Sequence, residues 1–142
     1  MLKLLKTAFA CTAVLASQAA GEERIAAGRD LFITYCAACH GKNGQGGASP
    51  AKVGAPKPAD LTKISQRRDG VWPMLEVMAI IDGYTKPVTP RAGMPTITEL
   101  GEGAQIAFDS GNGRSVSAPA RLVAVVQYLE SIQSPKPERY VP

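Results

Sequence analysis

The sequence predicts a small all-α domain in which a helix near its start and a helix near its end cross, joined by long irregular stretches. Three observations lead there. Ile25, Gly28, Leu31, Phe32 and Tyr35 recur three and four residues apart, the spacing of one helical face. Leu122, Val125, Val126, Leu129 and Ile132 repeat that spacing over Pro119 to Gln133. Between these stripes, glycine and proline recur often enough to interrupt most regular structure.

Each element follows from local chemistry. Glu22 to Cys39 reads as the first helix, with Glu22 and Glu23 at the end where negative charge favours the dipole. Gly28 falls inside its apolar stripe, where glycine costs about 1 kcal/mol against alanine. A second helix crossing closely at that point explains it. Gly41 to Pro58 lacks periodicity and is a loop. Asp60 to Gln66 is a short helix with Asp60 as N-cap. Val71 to Ile81 is another, with Asp69 as cap, Pro73 in its first turn, and Trp72, Leu75, Met78 and Ala79 on its apolar face. Lys86 to Thr98 is no regular helix, because Pro87, Pro90 and Pro95 interrupt it. In Gly101 to Val116, Ile106 and Phe108 alternate and Gly111-Asn112-Gly113 marks a turn, so a small hairpin is expected near residues 105–116. Ser117 is placed to cap the last helix. Ser134 to Pro142 is polar and proline-rich, so residues 135–142 read as a flexible tail.

Residues 1–20 read as a secretory signal peptide. Lys3 and Lys6 precede a short apolar run from Ala8 to Ala16, and Ser17-Gln18-Ala19-Ala20 offers small residues for cleavage. That run is shorter than the roughly 20 residues of a membrane span, which makes an uncleaved anchor the weaker reading. Residues 21–134 form one domain, and export points to the periplasm. Removing the leader leaves 14 basic against 12 acidic residues, a balance with no basic tract of the kind nucleic-acid binding needs.

Cys11 leaves with the leader, so Cys36 and Cys39 are the remaining cysteines. They stand in the run Cys36-Ala37-Ala38-Cys39-His40, the attachment signature of c-type haem. Each thiol can add to one haem vinyl group, and the adjacent imidazole is held against the iron as an axial ligand. The competing reading is a C-x-x-C redox disulfide, but no βαβ pattern surrounds the motif. His40 is the only histidine, which excludes multi-histidine metal sites and, within one chain, a bis-histidine haem. Pro56 and Pro58 lie in the following loop, where a stiffened backbone carbonyl could accept the other imidazole N–H. Trp72 is either a core aromatic or reaches the haem through its ring edge or indole N–H.

From Ala26 to Gln133 the chain resembles a class I cytochrome c. Gly28, Phe32, Cys36, Cys39 and His40 match the family's opening helix, G-x-x-x-F-x-x-x-C-x-x-C-H. Tyr128-Leu129 matches the aromatic-aliphatic pair of its closing helix, and Met94-Pro95 its sixth-ligand loop. The resemblance implies the small cytochrome c fold: terminal helices crossing around one covalently attached haem. The G-P-x-L element that often follows the haem motif has only partial matches, in Gly54-Ala55-Pro56 and in Pro58-Ala59-Asp60-Leu61. The stretch after Met94 is also longer than in the smallest members.

Met74 and Met78 are spaced as helical core filler. Met94 sits in an irregular loop that can adjust its distance to iron, so it is the expected sixth ligand. Histidine/methionine ligation closes both axial positions and raises the reduction potential. The expected function is therefore one-electron transfer between redox protein partners, membrane complexes among them, in a non-enzymatic carrier loaded by haem maturation machinery. A haem subunit of a larger oxidoreductase and a haem protein with an open sixth site remain as alternatives.

Overall fold

A computed structural model of the chain describes residues 20–47, 56–83 and 94–141. The expected signal segment apart from Ala20, most of the proline-interrupted stretch, and Pro142 lie outside those residues.

The first helix, α1, runs over residues 20–35. It does not continue unbroken to Cys39. Cys36 turns at φ −116° and opens the short helix α2, Ala37–His40. The ladder carries across the turn, since the Cys36 and His40 amides donate to the carbonyls of Phe32 and Cys36, each at 2.9 Å. The last helix, α4, spans Ala120–Ser131 and buries Leu122, Val125, Val126, Tyr128 and Leu129. It crosses α1 at Gly28. A Cβ built there would fall on the Ala124 carbonyl oxygen and 2.6 Å from its carbon, so only glycine permits the approach. Phe32 and Tyr128 seal the crossing with ring centroids 5.3 Å apart.

The helix expected from Val71 starts at Met74. It is α3, Met74–Asp82, packed on α4. Val71–Pro73 is instead a strand, β1. The cause is proline: a residue before proline is driven out of helical geometry, so Trp72 is extended. Asp69 is no cap, since it lies in the left-handed region at φ 52°. The same effect displaces Ser117 from its expected capping role. Ala118 precedes Pro119, and Ser117 lies in β3, Ser115–Pro119. β3 pairs antiparallel with β2, Gln105–Asp109, forming the hairpin and extending it slightly past the expected 116. Its inner face carries Phe108 and Ala118 into the core. The Asp60 to Gln66 element is two 3-10 turns, Leu61–Lys63 and Gln66–Arg68.

The tail does not simply trail away. Arg139–Val141 forms β4 and pairs in parallel with β1, so the all-helical frame carries two small two-stranded sheets. Tails are unreadable from local sequence because their partners, here at residues 71–73, are far away in the chain.

Candidate functional site

Cys36 stands at the turn between α1 and α2, and α2 carries Cys39 and His40 within one further turn. Both thiols are free and half-buried. Burial, and then the charge of Cys39 beside it, pushes the Cys36 thiol up to about 11. An unreacted Cys36 therefore stays protonated at neutral pH, the opposite of the lowered thiols that drive disulfide exchange.

His40 is oriented by backbone. Its Nδ1 lies 3.0 Å from the Ala59 carbonyl oxygen. A carbonyl only accepts, so Nδ1 carries the proton and Nε2 keeps its lone pair for a metal. The motif 58–61 thus supplies the carbonyl that the sequence left unassigned.

Several contacts hold that carbonyl in place. The Gly46 amide donates to the His40 carbonyl at 2.8 Å, folding the loop beneath the imidazole. Gly46 has φ 73°, and a Cβ there would stand 2.5 Å from the Pro58 carbonyl oxygen, so a side chain would push the loop off the 58–59 segment. Asp60 Oδ1 accepts from the Thr62 amide at 2.8 Å and from the Thr62 hydroxyl at 2.6 Å. The Leu61 amide donates to the Gly44 carbonyl at 2.7 Å. Gln133, just past α4, is buried and donates through Nε2 to the Leu61 carbonyl at 2.8 Å, while its Oε1 accepts from the Ser65 amide at 3.0 Å. Gln133 escaped sequence reasoning; a polar residue closing an apolar stripe is its only signal.

The three motif residues come together, whereas Met94 stands in a separate segment. It is 38% exposed, unlike Met74 at 4% and Met78 at 7%, whose thioethers are spent in the core. Met94 precedes by two residues Thr96, which packs against Gly83 at the end of α3. Trp72 is 1% exposed, and its Nε1 finds no hydrogen-bond partner among the described residues. A buried donor without an acceptor is costly, and an acceptor-bearing group bound beside it would remove that cost. The free thiol pair, the pre-set imidazole and the orphaned indole N–H together fit a covalently bound haem. Among the described residues, no cluster of three histidine, cysteine or acidic side chains offers another metal site, and no helix is long and apolar enough to cross a membrane.

No curated protein and no solved structure matches the chain. The family model for cytochrome c matches it over residues 25–133, spanning the thiol pair, His40, the Ala59 carbonyl and the α1–α4 crossing, and so the chain belongs to the cytochrome c family, whose members carry covalently attached haem c and transfer electrons.

Proposed function

We propose that this protein is a periplasmic one-electron carrier with histidine/methionine axial ligation, and not itself an enzyme. Cys36 and Cys39 form the thioethers, His40 Nε2 and Met94 Sδ are the axial ligands, and redox proteins, membrane complexes included, are donor and acceptor. The haem, attached by the maturation machinery, supplies a reversible one-electron couple. The observation that carries the reading is the 3.0 Å contact from His40 Nδ1 to the Ala59 carbonyl, which places the proton on Nδ1 and leaves the Nε2 lone pair for a metal. Met94 supports it as the exposed methionine among those described, on a chain segment anchored at Thr96. A closed sixth position leaves no room for substrate at the iron, which favours transfer over catalysis. Lys42 and Lys57 are exposed in the loop after His40 and would favour an acidic partner, mainly through association rate. Lys52 of the same loop, and Lys86 and Arg91, which flank Met94 in the sequence on the other side, lie outside the described residues.

The test is a pyridine haemochrome assay with intact mass on protein made in a host with c-type maturation. One covalent haem on the leader-cleaved wild-type chain, absent when both Cys36 and Cys39 are alanine, is the expected result. Covalent haem persisting in the double variant overturns the assignment. Carbon monoxide binding to the reduced wild-type protein would overturn the closed sixth site alone.

A further inference from the structure

Trp72 lies in a strand of three residues, and the C-terminal tail supplies that strand's partner. The register is Val71 with Arg139, Trp72 with Tyr140 and Pro73 with Val141. The chain turns into β1 through Asp69 and Gly70, both at positive φ. The tail fastens this turn through backbone and side chain. The amides of Glu138 and Arg139 donate to the Gly70 carbonyl at 2.8 and 3.2 Å. Arg139 Nη2 donates to the Asp69 carbonyl at 3.0 Å, and the Glu138 side chain packs over Gly70. The tail is itself held at three points. The Ser134 amide donates to the Thr62 carbonyl at 2.9 Å. The Tyr140 side chain lies beside Glu130 of α4, and the two line one cleft. The Tyr140 Cβ sits against Gly111 in the hairpin turn, where an added Cβ would approach it to 2.6 Å.

We infer that β4 is a positioning element for Trp72: by pairing with β1 it holds the indole N–H toward the bound haem. The inference rests on the reading that the orphaned Trp72 Nε1 serves the haem. Without β4 the turn at Asp69-Gly70 loses both bonds from Arg139, and the short strand loses its ladder, although the Gly70 amide keeps its bond to the Ser65 carbonyl. The indole then samples water and other orientations, on the low-stability end of the local openings that proteins undergo. A tail that served only global stability would lower the melting temperature without changing the haem's surroundings in the folded protein.

The experiment uses the holoprotein and two readouts taken well below melting. Trp72 is the only tryptophan, so its indole N–H gives one NMR signal whose exchange with water can be followed. The second readout is the reduction potential. Arg139→Pro removes the ladder donor to Gly70, a chain lacking residues 139–142 removes the strand, and Tyr140→Phe preserves the pairing. We expect roughly tenfold faster indole exchange in the first two variants. Their potential should shift in the same direction as in Trp72→Phe, with Tyr140→Phe close to wild type. If Trp72→Phe shifts the potential and the tail variants shift neither readout, the positioning role is wrong. If Trp72→Phe leaves the potential unchanged, the reading of Trp72 beneath the inference falls and the inference with it.

Discussion

Gly28→Ala should destabilise the protein, although the same change on an exposed helical face would stabilise it. The added Cβ would stand 2.6 Å from the Ala124 carbonyl carbon and 3.0 Å from the Tyr128 Cβ. Carbon atoms pack best at about 3.5–4.0 Å, so α1 and α4 must part by about 1 Å at the crossing. The obstacle is backbone and cannot rotate away. Overpacking of this kind costs about 1–3 kcal/mol, while alanine returns about 1 kcal/mol of helix propensity. The net loss is up to about 2 kcal/mol, or up to roughly 8 °C in melting temperature for a domain of this size. Thermal unfolding followed by circular dichroism measures it, with exposed Ala27→Gly as a control that separates propensity from packing. A melting temperature that rises on Gly28→Ala would place Gly28 on the surface and refute the crossing.

Further expectations concern the ligands, the loop that orients them and the acid range. Met94→Ala should lose the sulfur-to-iron charge-transfer band and lower the potential, while Met74→Leu and Met78→Leu keep the band; its loss in Met78→Leu alone would move the ligand to α3. Asp60→Ala removes the cap on Thr62 and should cost about 1 kcal/mol. It should also shift the reduction potential by loosening the Ala59 carbonyl, and an unchanged potential would show that the remaining bonds hold that carbonyl alone. Burial raises the Glu130 carboxyl above its ordinary 4.5, against the opposing hydrogen bond from Tyr140. The folded state therefore binds that proton more tightly than the unfolded state. The stability it contributes is fully present below 4.5 and is lost as pH rises through the folded pKa. Glu130→Gln should accordingly gain stability relative to wild type at neutral pH and not in acid, and a gain of equal size at both would point to packing instead.

What the sequence by itself determined is whatever depends on neighbours along the chain. The thiol pair and His40 are consecutive turns of one segment, so their chemistry was legible from spacing. The α1 and α4 stripes were legible because helical periodicity repeats locally, and Gly28 because a glycine in such a stripe has few reasons to be there. Asp60 was readable as a cap for the same reason, since its acceptor role reaches only to Thr62. Proline's effect on the preceding residue is equally local, and at Trp72 and Ala118 it keeps the chain extended. Tertiary structure alone decided which carbonyl orients His40, because Ala59 is 19 residues away and is held partly by Gln133 from the far end of the chain. It alone decided that residues 139–141 pair with 71–73, because a strand three residues long carries no periodic signal and gains its ladder only when the fold brings a partner alongside.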